Sequence, residues 1–477
     1  MVIVAVDDTD SRERGMCTTY VGTRIAEALT REGGRVQRQL LIRLNPSVKH
    51  KTRGNAAVAI HVDEVGPDRA FELASETVRT FAAVDDPRTS PGVVVADIDA
   101  GSESSREQRS ERIPDPVATV SRRALRERLS LADAVSCIED HEFRHAAFGS
   151  GGATDADAVS GRGRIGALAA IGAPAAFDDW TTEVISYRAL DRCGTPRDVD
   201  RDSVFAAATA AYPAVWDTVD RETGSVVCVP NAPGPILHGI RGDDPDACQT
   251  VAAAIASEPV ERSATFLTNQ GTDAHLAAPG IEDTGTGSTV VLRDGAGYRI
   301  TGTVATEPVT KRGGHVHVEL STDGVGDASA SASTRTAESA SEARIRCLAF
   351  KPTGRFRDRV RRLRPGDRVT VCGEHEHRPD DAELQATLKL EKFAVRSLVR
   401  TTRAVPRCPD CDRSMSSAGR NQGYRCRDCG TTAPGKVDRT LERALELGWY
   451  EVPPSARRHI AKPLIRGGFD APIHPER

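Results

Sequence analysis

Three carboxylates in four residues stand at the head of this chain, where Asp7-Asp8-Thr9-Asp10-Ser11 follows directly on the apolar run Val2–Val6. Like charges at the end of a buried strand repel one another unless a cation sits among them. Mg²⁺ prefers oxygen ligands and brings phosphates with it, so it is the natural partner. Asp7 and Asp8 are the candidate magnesium ligands, and Asp7, Asp8 and Asp10 the candidate catalytic carboxylates. A polar turn with an Asp as helix cap is the competing account. The adjoining Gly15-Met16-Cys17-Thr18-Thr19-Tyr20 suits a helix start whose free N–H groups face a phosphate, with the Thr18 and Thr19 hydroxyls beside it. Ordinary capping explains that block equally well.

Two further segments could hold phosphate. Gly161, Gly163 and Gly166 match G-x-G-x-x-G and open the apolar run Ala167–Ile171. A dinucleotide site needs a strand just before the motif, and Gly149–Ser160 reads as a Gly/Asp/Ala-rich loop. A backbone-amide cradle for ATP phosphates fits better, as do glycines that only let a helix pack close to a sheet. The second segment is Arg43-Leu44-Asn45-Pro46 followed by Lys49, His50, Lys51 and Arg53. Lys51 and Arg53 are its candidate phosphate ligands, and a solvated basic loop is the alternative.

The last chemical unit is Cys408-x-x-Cys411 followed, fourteen residues on, by Cys426-x-x-Cys429. Two knuckles at this spacing close a tetrahedron of thiolates around Zn²⁺. All four positions are protein ligands, so the site is structural. Gly430 follows where a tight turn tolerates positive φ. Arg413, Arg420, Tyr424 and Arg425 lie between or beside the knuckles and suit an RNA backbone and a stacked base.

The elements that must position these residues follow from periodicity. Strands are expected at Val2–Val6, Arg38–Leu44, Ala56–Val62 and Gly92–Asp97, with helices from Cys17 to about 30 and over Asp68–Val84. This α/β rhythm runs to 191. A β–α–β unit of ferredoxin-like size follows over 192–284. Short strands with Gly-rich turns over 285–400 suggest an OB-fold barrel, interrupted by a low-complexity, disordered loop at 321–343. The zinc ribbon occupies 401–435, and a C-terminal helix and tail 436–477. The fold class is therefore multidomain α+β.

Composition limits the partners. The 477 residues carry a net charge of −4, so RNA contact must come from local basic patches. No apolar run is long enough to span a membrane, and the N-terminus lacks a basic leader. Eleven cysteines, four of them clustered, suit a reducing cytoplasm with one metal site.

Taken together, the blocks are specific. The chain resembles the archaeal tRNA-isoleucine 2-agmatinylcytidine synthetases over nearly its full length. DDTDS with GMCTTY, RLNPSVKHKTRGN, GRGRIGALAAIGA, TTEVISYR, PGPILHGIRG, TNQGTDAHL, TLKLEKF, the ribbon and YEVPPSARRHIAKPLIR occur in order. The resemblance implies a kinase-like domain, a ferredoxin-like domain, an OB-fold and a zinc ribbon. It implies ATP-dependent attachment of agmatine to C2 of the wobble cytidine of the CAU-anticodon isoleucine tRNA, with ATP, Mg²⁺ and Zn²⁺ and no protein partner. It also implies autophosphorylation at Thr18, which aligns with the family's modified threonine. Asn269, Gln270 and Asp273 become candidate lining for agmatine or the base. Two other functions stay open. One is a haloacid-dehalogenase-like phosphotransferase with an RNA-binding tail, in which Asp8 is the nucleophile and Asp10 its acid/base. The other is a non-catalytic RNA-binding protein.

Overall fold

The computed structural model describes residues 1–13, 15–48, 54–98, 112–149, 161–278, 280–283, 288–322, 343–377, 386–458 and 460–477. Most of the expected loop 321–343 lies outside the described residues, as do Lys51, Arg53 and the stretch 150–160 before Gly161.

A nine-stranded sheet carries the first half. Its strands are β1 (Val2–Asp7), β2 (Arg35–Arg43), β3 (Ala56–Asp63), β4 (Gly92–Asp97), β5 (Arg144–Ala147), β6 (Thr181–Tyr187) and β7 (Val215–Trp216). After a small hairpin, β8 (Val219–Asp220) and β9 (Ser225–Val226), come β10 (Ile236–Gly242) and β11 (Arg262–Thr268). The spatial order is β5-β4-β1-β3-β2-β11-β6-β10-β7. The expected boundary at 191 thus falls between strands of one continuous sheet. The alternating strand and helix pattern led to an α/β expectation, but β1 lies antiparallel to both β3 and β4. The two halves meet where β2 pairs in parallel with β11, through Leu40↔Leu267 and Leu41↔Thr268.

β1 is central and buried on both faces, which its unbroken run of apolar residues dictates. Helices α1 (Thr18–Arg31) and α2 (Pro67–Phe81) cover one face through Val21, Ile25, Leu29, Ala74 and Val78. On the other lie α3 (Asp115–Ala124), α4 (Leu131–Asp140) and α5 (Gly163–Ala176). α5 is apolar all round and packs tightly on α3, where Ser121 Oγ donates to Ala169 O at 2.6 Å and a Cβ on Gly172 would overlap Val117 O. Helices α6 (Arg201–Ala211) and α7 (Pro245–Ala254) close the second half over Val184 and Ile240.

The second half of the chain begins with short β12 (Leu276–Ala277) and a hairpin, β13 (Gly280–Asp283) and β14 (Ser288–Val291). Then come β15 (Gly297–Val304), β16 (Val309–Thr310), β17 (Val316–Thr322), β18 (Ala343–Ala349), helix α8 (Arg355–Val360), β19 (Arg368–His377) and β20 (Ala386–Ser397). The pairings β15–β17–β18–β20–β19–β15 close a five-stranded barrel. Phe356 of α8 plugs it against Phe393, ring centroids 5.5 Å apart.

A two-stranded stalk, β21 (Thr401–Ala404) with β25 (Val437–Thr440), carries the cysteine unit. Within that unit lie β22 (Ser416–Ser417), β23 (Tyr424–Arg425) and β24 (Thr432–Ala433). The helix expected after 436 is therefore corrected to a strand: partnering by Thr401–Ala404 overrides local preference. β26 (Gly448–Glu451) returns to pair with β20, and β27 (Ile473–His474) pairs with β26.

Between β26 and β27 the chain staples the barrel to the sheet. Arg457 lies 2.7 Å from both Asp217 and Glu451, all three side chains at 1–3% exposure. Arg466 forks onto Asp179 at 2.9 and 3.0 Å and reaches Asp243 at 2.7 Å. Among the described residues no helix is long and apolar enough to cross a membrane. Removing one partner of a buried ion pair strands the other charge, so Arg457→Ala should lower unfolding free energy by about 3–5 kcal/mol in urea. A loss under about 1 kcal/mol would mean water reaches these carboxylates.

Candidate active site

The C-terminal end of β1, the start of α1 and the start of α5 meet at a cavity of about 380 Å³. Asp7, Asp8, Asp10, Thr18, Gly163, Gly166 and Gln270 all line it. Seven residues that were singled out from distant parts of the sequence are thus brought together.

Local geometry explains the acidic end. Asp8 sits at φ 60°, and its N–H donates to Asp7 Oδ1 at 2.7 Å. Thr9 Oγ1 donates to Thr18 Oγ1 at 3.2 Å, which ties the loop to the first residue of α1. Ser11 Oγ donates to Asp86 Oδ2 at 2.5 Å and Thr89 Oγ1 to Asp10 O at 2.7 Å, closing the turn from the far side. Burial pushes the Asp7 carboxyl well above the usual range, and the neighbouring Asp8 charge adds to the shift. Burial likewise raises Asp8 to about 6, although Arg162 Nη2 donates to its Oδ2 at 2.7 Å and holds it back.

The glycine motif acts first through packing. A Cβ on Gly166 would overlap the Asp7 carboxylate, and one on Gly163 would sit 2.5 Å from Asp7 O. Both glycines let α5 press onto the end of β1. Gly161 adopts φ +80° against Ala147 and does not line the cavity. Its N–H and that of Arg162 are taken by Ser90 Oγ at 2.7 and 3.1 Å.

The opposite wall is basic, and of its cations only Arg43 falls in a segment that the sequence marks as able to hold phosphate. Glu183 accepts from Arg241 Nη2 at 2.8 Å and from Gln270 Nε2 at 2.7 Å. Arg43 stands beside them, its side chain pressed against Gly54. Burial, reinforced by the Arg241 charge, lowers its guanidinium to about 10, still protonated at neutral pH. Glu183 and Arg241 are a directly opposed pair in the antiparallel β6–β10 register. A lone acid within the apolar TTEVISY strand was the available signal, but its partner becomes visible only with that register. Arg162, inside the glycine motif, was equally missed as the partner of Asp8.

The other candidate lining residues do different work. Asn269 clamps the backbone of Arg43: its Oδ1 accepts from Arg43 N at 2.7 Å and its Nδ2 donates to Arg43 O at 3.1 Å. Asp273 is drawn away to the barrel, where Lys392 Nζ donates to it at 2.5 Å and Lys462 N at 2.6 Å. Neither lines the cavity.

The four thiols Cys408, Cys411, Cys426 and Cys429 lie within 4.8 Å of one another, a metal-ligand cluster among the described residues. Knuckle bonds position them: Cys408 N donates to Arg413 O at 2.8 Å, Cys426 N to Thr431 O at 2.8 Å, and Gly430 N, at φ +79°, to Cys426 O at 3.1 Å. Hydrogen bonds from Thr431 lower the Cys429 thiol to about 6, toward the thiolate that binds metal.

An acidic cavity backed by a hydroxyl and a basic wall, joined to a β-barrel and a four-cysteine ribbon, defines a multidomain protein with a compound candidate site among the described residues. Family models divide the chain in the same order: the TiaS TCKD domain matches residues 3–150, the TiaS FLD domain 161–275 and the TiaS C-terminal zinc ribbon domain 405–445. A protein of Haloquadratum walsbyi, the isoleucine-tRNA 2-agmatinylcytidine synthetase TiaS, is 52% identical over 100% of both chains. The crystal structure of TiaS in complex with its isoleucine tRNA and ATP superposes with a TM-score of 0.81 at 36% identity, covering 100% of this chain and 99% of that one. That of TiaS with the same tRNA, AMPCPP and agmatine gives 0.78 at 34% identity with the same coverage. The chain belongs to the TiaS family of isoleucine-tRNA 2-agmatinylcytidine synthetases.

The Asp8 shift has a measurable sign. Its folded pKa of about 6 lies above the ordinary 3.8, so its contribution to stability is full below pH 4 and lost as pH rises through 6. Without divalent cations, the ionised carboxylate then costs about 3 kcal/mol. In EDTA, Asp8→Asn should raise Tm over wild type at pH 8, and the gain should vanish near pH 4. Equal melting curves at pH 8 would contradict this burial.

Proposed function

We propose that the chain is an ATP-dependent ligase that attaches agmatine to C2 of the wobble cytidine of the CAU-anticodon isoleucine tRNA. The product is 2-agmatinylcytidine, which changes decoding from AUG to AUA. The observation that carries the proposal is the convergence of Asp7, Asp8, Asp10 and Thr18 on one cavity in a chain related over its whole length to TiaS.

The C2 oxygen of cytosine is a poor leaving group, so ATP first transfers a phosphoryl group to it and ADP departs. The primary amine of agmatine then bonds to C2, phosphate leaves, and the amine gives up a proton to a base. Positioning and electrostatics supply most of such catalysis. Asp7 and Asp8 fit a Mg²⁺ site, because both are buried acids whose repulsion Arg162 relieves only in part. The ion would neutralise phosphate charge there. The hydroxyl of Thr18, held by Thr9, stands where a phosphoryl group can reach it. Gln270 is the one residue of the TNQGTD block facing the cavity.

The architecture supports four labels: a kinase-like unit, a ferredoxin-like unit, an OB-fold for the five-stranded barrel, and a ribbon that takes Zn²⁺ on its four thiols. The barrel and ribbon hold the tRNA while the wobble cytidine is unstacked into the cavity. Its substrate makes the cytoplasm the site of action. The full-length kinship disfavours both the phosphotransferase and the non-catalytic alternatives.

The test incubates the protein with ATP, Mg²⁺, agmatine and unmodified CAU-anticodon isoleucine tRNA, with elongator methionine tRNA as control, and analyses digested nucleosides by mass spectrometry. An agmatine adduct on the isoleucine tRNA alone is expected. ATP turnover without any adduct would refute the assignment. Asp8→Ala should abolish the adduct while leaving tRNA binding intact. Cys426→Ser should release zinc and weaken tRNA binding with the catalytic half still folded; unchanged zinc content would overturn the ribbon assignment.

A further inference from the structure

The basic wall of the cavity holds an unbalanced charge. Arg43 and Arg241 face a single carboxylate, Glu183, and both oxygens of that carboxylate are engaged: Oε1 accepts from Arg241 at 2.8 Å and Oε2 from Gln270 at 2.7 Å. Gly239 lies on the neighbouring strand, and a Cβ there would sit 2.9 Å from Glu183 Oε1, so the carboxylate's place is kept by the absence of a side chain. Arg43 is left over. Its buried Nε has no hydrogen-bond partner among the described residues, and the residue lines the cavity.

The backbone of Arg43 is nonetheless fixed. Asn269 grips both its N–H and its carbonyl, and His275 Nε2 lies 3.1 Å from the same carbonyl. This clamp sits where β2 and β11 join, directly after the pairing of Leu41 with Thr268. A partly desolvated guanidinium whose neighbouring carboxylate, Glu183, is already engaged by other donors is unfavourable on its own. It is favourable once a doubly charged, oxygen-rich group accepts its forked N–H donors.

We propose that Arg43 is an anion-binding residue of the active site that takes a phosphoryl group, with Arg241 as a second cation and Asn269 as the residue that positions it. The inference rests on the ATP-dependent reading for its role and on the cavity for its chemistry. The phosphoryl group has two sources: one derived from ATP, on its way to or from the base, or a backbone phosphate of the RNA. Cationic donors that already line the cavity stabilise such a group as charge develops on it.

The test uses the full chain as wild type, Arg43→Gln and Arg43→Lys, each first melted to confirm folding. Inorganic phosphate is titrated by calorimetry. The wild type should bind, Arg43→Gln should bind about tenfold or more weakly, and Arg43→Lys should fall between, since it keeps the charge and loses the fork. A wild type that ignores phosphate, or an Arg43→Gln variant that binds it as well, overturns the proposal. ATP turnover without tRNA and tRNA affinity at fixed salt then separate the sources. A loss of turnover with unchanged tRNA affinity assigns the ATP-derived group, and the opposite pattern assigns the RNA backbone. No change in either overturns the functional role. Failure of wild type to form the agmatine adduct would refute the reaction proposed above and leave the phosphate titration valid.

Discussion

Two like charges buried at the end of one strand are the constraint around which this molecule is arranged. Asp7 lies beneath α5, and it lies there because Gly163 and Gly166 carry no side chains to keep the helix away. The apolar surface of α5 excludes water from the carboxylate. Asp8, turned into a left-handed conformation, shares that environment with one guanidinium for two acids. Such an arrangement is retained at an expense in stability that a purely structural turn would not carry.

Much of this was legible in sequence. The buried β1 run, the acid loop behind it, the threonine at the head of α1 and the two cysteine knuckles are local patterns whose chemistry depends on nearest neighbours. The barrel, too, was readable from short strands at regular spacing. What escaped depends on register and on long-range pairing. Glu183 meets Arg241 only through the β6–β10 alignment, and Arg162 meets Asp8 across 154 positions. The TNQGTD block was expected to line an agmatine or base pocket, but its three side chains serve three ends: Gln270 the cavity, Asn269 the backbone of Arg43, and Asp273 the barrel. The missing C-terminal helix has the same origin, since Val437–Thr440 takes its conformation from a strand more than thirty residues earlier.

The parts differ in how they are joined. One nine-stranded sheet runs through both regions that the family models match before the barrel. The barrel is fixed to it by a late segment in which Arg457 reaches the buried acids Asp217 and Glu451, one on each body. The ribbon hangs on a two-stranded stalk and is organised by its own four thiols. A cavity set in the sheet with a ribbon on its own stalk suits the proposed task, in which chemistry on one base must be joined to recognition of a large RNA.

Thermal melting measures directly whether the buried Asp7 and Asp8 carboxylates form the proposed divalent-cation site. At pH 7.5, Mg²⁺ should raise the Tm of the wild type, and the rise should grow when ATP is added with it. Asp7→Asn should show neither increment. If Mg²⁺ leaves the wild type unmoved, and ATP stabilises it equally in EDTA, the carboxylates are not a metal site and the electrostatic account of the cavity fails.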